Sequence, residues 1–464
     1  MSRFDLAIIG SGPGGYVAAI RAAQLGLSVG VIEADKLGGV CLNWGCIPSK
    51  ALLTGAELVE NLTRHGDAFG VSAAGLTLDY GKLIDHSRKT AERLSRGVES
   101  LFKKNKITWI RGRGRLAGPN AVDVEGPDAQ RVDARYVMLA TGSGELVLPG
   151  LEVDGERILT SREALASKRR PDRLVVVGAG AVGVEFAYVY AMYGAKVTVL
   201  EMAPQMLPGA DAEAAQVLQR EFRRKGIEVR LATRFEGVEK TPGGVRVAIS
   251  SEKGNEALEA DQLLVAIGRR PLSADLGLEA AGVHVDRRGF VSVDARLRTP
   301  VPGVLAIGDL VGGALLAHKA SEEGIAAVEF LAGKRTQPLD HAAIPACIYA
   351  QPQVAWVGLG EAQARERYGD DLRVGRFPFT ASGKALAAAH SEGFAKILAE
   401  PRYGQIVGAH VVGHGATELI AEVTLALTLE ATTAEVASTC HAHPTLSEAI
   451  LEATLAAEGR SINF

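Results

Sequence analysis

Phe4-Asp5-Leu6-Ala7-Ile8-Ile9-Gly10-Ser11-Gly12-Pro13-Gly14-Gly15 decides the fold of this chain. An apolar run enters a glycine loop, and a helical pattern over residues 16–25 follows. A second apolar run over 28–32 ends at Glu33. This is G-x-G-x-x-G between strand and helix, with an acidic residue about 20 positions further on, the dinucleotide-binding pattern. Gly10 makes the tight turn, Gly12 lets backbone approach a pyrophosphate, and Gly15 lets helix pack on strand. Glu33 is placed to accept hydrogen bonds from ribose hydroxyls. Residues 173–201 repeat the unit. Leu174-Val175-Val176-Val177 enters Gly178-Ala179-Gly180-Ala181-Val182-Gly183, a helix runs to Tyr193, and a strand over 196–200 ends at Glu201.

Shortly after the first unit comes Gly38-Gly39-Val40-Cys41-Leu42-Asn43-Trp44-Gly45-Cys46-Ile47-Pro48-Ser49-Lys50. Two thiols five residues apart, at what reads as the start of a helix, can close into a small disulfide ring. Unpaired N–H groups and the macrodipole at a helix N-terminus favour a thiolate. Downstream of a flavin-type nucleotide site, the pair reads as a redox-active disulfide that exchanges electrons with the ring. The competing reading is a structural disulfide or two buried thiols, and structural disulfides are rare inside cells. Cys347 and Cys440 have no spacing partner and read as buried thiols.

The bulk properties bound the answer. The chain has 464 residues, too many for a single hydrophobic core. A formal net charge of -3 gives no reason to expect nucleic acid or an anionic membrane as partner. Four cysteines fit a reducing cytoplasm. The chain runs from Met1 straight into a strand without a basic region and cleavage site, so no signal peptide is expected. No window reaches the roughly 20 apolar residues of a spanning helix.

Between the two fingerprints, residues 77–104 are polar with a helical period. Apolar runs at 136–140, 262–267 and 304–307 read as strands. They end at Thr141-Gly142-Ser143-Gly144, Gly268-Arg269-Arg270-Pro271 and Gly308-Asp309. Ligands of nucleotide-binding sheets lie beyond the carboxyl ends of strands, so these turns are candidate cofactor contacts, the alternative being ordinary strand-to-loop turns. After about residue 343 alternating strands appear at 354–357, 394–398 and 406–412, with apolar helices near 417–429 and 446–457. The predicted class is α/β: two Rossmann-like dinucleotide-binding domains plus a C-terminal α+β domain on an open antiparallel sheet.

With these residues quoted, the chain resembles the pyridine nucleotide–disulfide oxidoreductases over its full length, and within them the dihydrolipoamide-oxidising branch. The resemblance also covers Ala140-Thr141-Gly142-Ser143, Ala306-Ile307-Gly308-Asp309, Leu316-Ala317-His318-Lys319-Ala320, His441-Ala442-His443-Pro444-Thr445-Leu446-Ser447-Glu448 and the closing Ser461-Ile462-Asn463-Phe464. The Cys41–Cys46 and His-Pro-Thr segments are highly specific to the family. The Leu-Ala-His-Lys segment and the short C-terminus favour the lipoamide branch. The chain departs from the family's usual Thr-His/Glu-Pro-Glu at Ala350-Gln351-Pro352-Gln353.

The resemblance implies four domains: 1–148 binding FAD and carrying the disulfide, 149–272 binding NAD, 273–342 completing the FAD site, and 343–464 forming a dimer interface. It implies Cys41 as the thiol that exchanges with dihydrolipoamide and Cys46 as the flavin-side thiol. His443 would be the general base, and Glu448 would hold and polarise it; His441 reads as structural. A cis His443–Pro444 bond is expected. For FAD the resemblance implies Gly10, Gly12, Gly15, Glu33, Lys50, Gly114, Thr141, Gly142, Ser143, Asp309, Leu316, Ala317 and His318. Asp309 would face the ribityl chain, and Lys50 would pair with Glu185 near the flavin. For NAD it implies Gly178, Gly180, Gly183, Glu185, Glu201 and Gly268. The carboxylate of Glu201 accepts a ribose 2′-hydroxyl and repels a 2′-phosphate, and no Arg or Lys lies in 200–206, so NAD rather than NADP is expected. No metal is expected. The implied partners are a second copy of the chain, and a lipoylated acyltransferase or glycine cleavage carrier protein with its peripheral subunit-binding domain. Ser49, Glu201 and the lack of a cysteine after Cys440 set the chain apart from glutathione and mercuric reductases, the alternative readings.

Overall fold

The computed structural model describes residues 2–72 and 75–464. Contacts divide the chain into two units, neither continuous in sequence. One gathers Met1–Ala51, Ile84–Leu146 and Gly268–Leu339, and the other Leu52–Leu83, Val147–Ile267 and Asp340–Phe464.

In the first unit the opening apolar run forms β1 (Ser2–Ile9), the glycine loop leads into α1 (Pro13–Gln24), and β2 (Val29–Glu33) follows. The thiol segment breaks into a short α2 (Gly39–Trp44) and the start of α3 (Cys46–Glu60). The polar segment forms α4 (Tyr80–Lys104). Strands β3 (Thr108–Arg111), β4 (Arg113–Gly118), β5 (Ala121–Glu125) and β6 (Gln130–Leu139) complete a sheet ordered β3-β2-β1-β6-β5-β4, with Val304–Ala306 also alongside β6. Pairing is parallel among β3, β2, β1, β6 and Val304–Ala306, and antiparallel through β5 and β4.

Register explains where the loops go. Ile9 stands opposite both Ile32 and Leu139, and Leu139 opposite Ala306. The carboxyl ends of these strands therefore stop at one level. The residues that follow them, Gly10, Glu33, Thr141 to Ser143 and Gly308-Asp309, emerge along one edge, where open α/β sheets bind ligands.

Helix α1 covers this sheet with small side chains: Ala18, Ala19 and Ala22 are fully buried. It packs on the helix Ala317–Leu331 at a glycine crossing. A Cβ on Gly324 would lie 2.6 Å from the carbonyl oxygen of Gly14 and 3.1 Å from Ala18 Cβ. Arg21 and Glu329 close the same helix pair with an ion pair of 2.6 Å.

In the second unit a five-stranded parallel sheet runs Glu228–Arg230, Lys196–Leu200, Arg173–Val177, Gln262–Val265, Ile158–Leu159. Val177 lies opposite Leu200 and Val265, the same levelling of strand ends as in the first unit. The fingerprint helix is Ala181–Met192. An antiparallel meander, Arg234–Thr241, Gly244–Ser251 and Gly254–Ala260, is not anticipated by the sequence reading. The C-terminal segment forms a five-stranded antiparallel sheet ordered Ala346–Ile348, Gln353–Gly358, Ile406–Gly413, Phe394–Ala399, Arg373–Pro378, with helices Ala416–Thr428 and Glu448–Ala457 packed against it. The α/β class with an open antiparallel C-terminal sheet is therefore as expected. The His443–Pro444 bond is cis, as is Gln351–Pro352. Among the described residues no helix is long and apolar enough to cross a membrane.

The glycine crossing yields a test. Gly324→Ala forces a methyl against backbone that has no rotamer to move, and overpacking of this kind costs about 1–3 kcal/mol. The thermal midpoint should fall relative to wild type, whereas Gly97→Ala, at an exposed position of α4 whose Cβ meets nothing within 4 Å, should not lower it. An unchanged midpoint in Gly324→Ala would show that the helices can move apart freely.

Candidate active site

The two nucleotide loops are built alike. Gly10 and Gly178 have φ of 101° and 105°, and a Cβ on either would overlap the carbonyl of Ala140 or Ala266. A Cβ on Gly15 or Gly183 would overlap the carbonyl oxygen of Gly10 or Gly178. By contrast, a Cβ on Gly12 or Gly180 meets nothing within 4 Å. Gly12 and Gly180 are also the N-caps of their helices, and neither helix has a side-chain cap. Each loop thus presents uncapped backbone N–H groups toward open space, the arrangement that binds a pyrophosphate.

The two glutamates also correspond. Glu33 accepts the N–H of Ser11 at 2.8 Å, its hydroxyl at 2.6 Å, and the N–H of Asp35 at 2.8 Å. Glu201 accepts the N–H of Ala179 and of Ala203, both at 2.8 Å. Each carboxylate braces its own loop, and with about four lone-pair sites it retains capacity for ribose hydroxyls.

The carboxyl ends of the neighbouring strands supply a second cluster. The Ser143 hydroxyl donates to Asp309, while Arg269 donates to the Ser143 hydroxyl at 2.7 Å and to its carbonyl at 2.6 Å. Thr141 donates to the carbonyl of Leu272 at 2.8 Å. Gly142 and Gly268, with φ of 70° and 133°, again face open space at Cβ. Leu316 caps the helix that begins Ala317-His318, and this N-terminus too has no side-chain cap. Gly114 sits on β4, where a Cβ would be 3.1 Å from Ile9 and 3.2 Å from Ile32, so its small size serves the packing of the sheet.

Sequence reading gives no role to Lys319, Glu323 or Arg269, yet all three hold Asp309 in place. Lys319 and Glu323 are 2% and 1% exposed and form an ion pair at 3.0 Å. Glu323 accepts the N–H of Gly308 at 2.7 Å, and Lys319 donates to the Gly308 carbonyl at 3.1 Å. Both backbone groups of the residue before Asp309 are thereby clamped. The spacing i, i+4 of Lys and Glu in a helix of small residues was the available signal.

The thiol segment lies against the first loop. Gly38 N–H donates to the Ser11 carbonyl at 3.0 Å, and a Cβ on Gly39 would be 2.7 Å from Gly12 Cα. Cys41 and Cys46 are both half-buried. The expected single helix start is corrected: Cys41 lies within α2, and Cys46 begins α3. The thiols are inequivalent. A hydrogen bond with the Cys46 thiol, then burial, pushes the Cys41 thiol far above its ordinary value, with Lys50 opposing. Cys46, at the N-terminus of a 15-residue helix, has the position that favours a thiolate. Lys50 is half-buried one turn into α3. Cys440 is exposed and Cys347 half-buried, which corrects the expectation of two buried thiols: Cys440 lies outside any helix or strand, and Cys347 packs on the C-terminal core from an edge strand.

In the second unit Glu185 is buried on the fingerprint helix and accepts the N–H of Tyr349 at 3.1 Å. Glu448 receives His443 Nδ1 at 2.7 Å and the N–H of Thr445 at 2.8 Å. These two contacts, His443 first, hold its carboxyl below the usual range. The His443 side chain is 80% exposed. His441 is tied to Glu422 at 2.7 Å and to the Thr439 carbonyl at 2.8 Å, as a structural histidine should be. Among the described residues no cluster is suited to a metal.

The buried clamp can be tested directly. Lys319→Met leaves the Glu323 carboxylate without its ammonium partner, a change that costs about 3–5 kcal/mol when the pair is buried. The urea midpoint should fall well below wild type, and the double change Lys319→Met with Glu323→Leu should recover only part of the loss, because the buried Gly308 N–H then lacks its acceptor. Equal midpoints for wild type and Lys319→Met would contradict the clamp.

Comparison with known proteins follows this geometry. Residues 4–324 match the family described as pyridine nucleotide-disulphide oxidoreductase, and residues 344–454 match its dimerisation domain. The chain is 45% identical over 455 residues to dihydrolipoyl dehydrogenase of Chlorobaculum tepidum, covering 97% of this chain and 96% of that one. It is 43% identical over 475 residues to dihydrolipoyl dehydrogenase of Bacillus subtilis, covering both chains completely. Among solved structures, LpdA from Mycobacterium tuberculosis superposes with a TM-score of 0.90 at 30% identity, covering 98% of this chain and 99% of that one.

Proposed function

The chain belongs to the pyridine nucleotide-disulphide oxidoreductase family, and we propose that it oxidises dihydrolipoamide carried on a protein, with NAD+ as final acceptor. The observation that carries this reading is the Cys41–Cys46 pair laid against one dinucleotide loop, in a chain that holds a second such loop and a carboxylate-held exposed histidine. The uncapped helix starts, the open glycines and the two bracing glutamates fit FAD at the first loop and NAD at the second. Bound at the first loop, FAD would supply a two-electron carrier between the thiol pair and NAD+.

The chain's own residues perform the rest. Gly10, Gly12 and Gly15 admit the FAD pyrophosphate, Glu33 takes its ribose, and Ser143 and Asp309, fixed by Arg269 and the Lys319–Glu323 clamp, face its ribityl side. Gly178, Gly180 and Gly183 admit NAD, and Glu201 takes its ribose 2′-hydroxyl. Lys50, on the helix that Cys46 begins, would serve the flavin, and Glu185, on the second fingerprint helix, the nicotinamide. His443, oriented by Glu448, removes a proton from a substrate thiol. The thiolate attacks Cys41 Sγ of the disulfide, and Cys46 leaves as the thiolate that its helix N-terminus favours. The second substrate thiol then displaces Cys41, closing lipoamide. The sum is dihydrolipoamide + NAD+ → lipoamide + NADH + H+.

The domain limits 1–148, 149–272, 273–342 and 343–464 carry FAD and disulfide, NAD, the completion of the FAD site, and the dimer interface. The protein is a homodimer, in keeping with its dimerisation domain. Its lipoylated substrate is an acyltransferase of a 2-oxo acid dehydrogenase complex or a glycine cleavage carrier, which docks through a peripheral subunit-binding domain. A chain of this length with only four cysteines suits work in the cytoplasm.

A steady-state assay decides the activity. Dihydrolipoamide should be oxidised with NAD+ and poorly with NADP+, glutathione should not be turned over, and Cys46→Ser should keep FAD but lose turnover by more than about 10³-fold. A fully active Cys46→Ser protein, or equal use of NADP+, would contradict the residue roles.

Each subunit's His443 serves the other subunit's thiols in this reading, so two inactive chains can complement. Mixing Cys41→Ser with His443→Ala under subunit exchange should form heterodimers with one intact site, recovering up to about half the wild-type rate per heterodimer if sites are independent. Demonstrated exchange without recovery would show that each subunit uses its own His443.

A further inference from the structure

Helix α4 is tied to the thiol segment and the residue before it by three side chains that all donate to backbone carbonyls. Ser95 donates to Leu37 at 2.8 Å, Arg88 to Asn43 at 2.6 Å, and Ser87 to Pro48 at 3.0 Å. The three residues lie within an arc of about 100° on α4. That face also carries the buried Ile84, Ala91, Val98 and Phe102. Ser87 is fully buried within this apolar stripe. Its hydroxyl therefore has a partner on the thiol segment rather than in water.

The middle contact is the one inside the reacting loop. Asn43 and Trp44 stand between Cys41 and Cys46. Asn43 is 1% exposed and donates its amide to the carbonyls of Leu37 and Gly39, both at 3.0 Å. The guanidinium of Arg88 lies 4.4 Å from the centre of the Trp44 ring, with the Lys36 ammonium at 5.3 Å. The Trp44 indole N–H donates to Asp35 at 2.9 Å. One side chain, Arg88, thus grips both a carbonyl and a ring of the loop that the two sulfurs close.

The loop needs such a grip. Helix α2 has only six residues, too few to be stable alone, and its last carbonyls lack partners within the helix. A cation at that end supplies a donor and matches the dipole. Disulfide closure is intramolecular, so its equilibrium follows the effective concentration of one thiol at the other, which drops when the loop is free to move. We propose that Arg88 is a positioning residue for the thiol pair, holding the 41–46 loop through the Asn43 carbonyl and the Trp44 ring so that the Cys41–Cys46 disulfide is favoured. The proposal rests on Cys41 and Cys46 being the reacting pair.

The test is a thiol–disulfide equilibrium, independent of turnover. FAD-loaded protein is equilibrated under nitrogen with mixtures of reduced and oxidised dithiothreitol. The protein dithiol and the cyclic reagent disulfide exchange two electrons and two protons, giving the protein disulfide and the reagent dithiol. Free thiols are trapped and Cys41 and Cys46 are read by mass spectrometry. Arg88→Met should lower the equilibrium constant for disulfide formation about tenfold, equivalent to about 30 mV. Arg88→Lys keeps the charge and loses the planar stack, and Trp44→Leu loses the ring. Each should shift the constant the same way by about threefold. Arg93→Met, at an exposed site on the same helix, should titrate with wild type. An Arg88→Met constant within about twofold of wild type overturns the proposal. If that variant does not retain FAD, constants within about twofold of wild type for both Arg88→Lys and Trp44→Leu overturn it instead. A shift in Arg93→Met as large as in Arg88→Met also overturns it, because the effect would then belong to α4 as a whole. If wild type forms no Cys41–Cys46 disulfide in any mixture, the reading of the reaction itself fails. If wild type forms it and the Arg88 variants follow wild type, only the positioning role fails.

Discussion

At both nucleotide loops a carbonyl stands where a side chain would begin. Ala140 and Ala266 lie so close to Gly10 and Gly178 that a Cβ at either glycine overlaps backbone, and both glycines carry a φ that side chains rarely adopt. The chain can leave one strand beside the end of the next only because that atom is missing. Much else depends on this approach. It sets the start of each fingerprint helix at the level of the strand ends. It puts Ser11 and Ala179 within reach of Glu33 and Glu201. It also presents the Ser11 carbonyl and the Gly12 backbone as the surface on which Gly38 and Gly39 rest. The thiol segment is positioned by the same loop that is open to a pyrophosphate.

The break at Gly45 separates two thiols that sequence alone makes look equivalent. Because the helix restarts at Cys46, that thiol alone stands at the N-terminus of a long helix. Cys41 is hydrogen-bonded to Cys46 and resists ionisation. Thiol exchange needs a good leaving thiolate on one side and an approachable sulfur on the other. The fold supplies that asymmetry with backbone geometry rather than with a charged side chain for each sulfur.

Much of this was legible in the sequence, for definite reasons. Glycine spacing, the thiol pair and the glutamates at strand ends are local patterns, and their local consequences appear as read: both fingerprints fold as strand, loop and helix within a few residues of the expected limits. The C-terminal alternation also gave its antiparallel sheet. The braces were less legible: Lys319 and Glu323 stand four apart, but the groups the braces hold lie outside their own elements. Arg269 reaches Ser143, and Glu323 reaches Gly308 only after Val304–Ala306 has taken its place beside β6. The meander over 234–260 was missed because its strands are short of apolar alternation on the exposed strands, where Glu and Lys are frequent. Gly114 shares the difficulty of the braces: its neighbours Ile9 and Ile32 come from other strands, and nothing in its own segment announces that packing.

His441 and His443 are two residues apart, and their surroundings differ in the respect that matters for proton transfer. The His441 ring is committed at both nitrogens, to Thr439 and Glu422, and its side chain is 4% exposed. An imidazole held at both positions is a tie between elements. His443 is held at Nδ1 by Glu448, and among the described residues Nε2 has no partner. A carboxylate at Nδ1 fixes the tautomer in which Nε2 carries the lone pair, so that nitrogen is the one able to take a proton. Glu448 is itself steadied by the Thr445 N–H, which keeps it ionised and oriented. The orientation of the His443 imidazole is therefore set from the carboxylate outward: Thr445 holds Glu448, and Glu448 holds the ring.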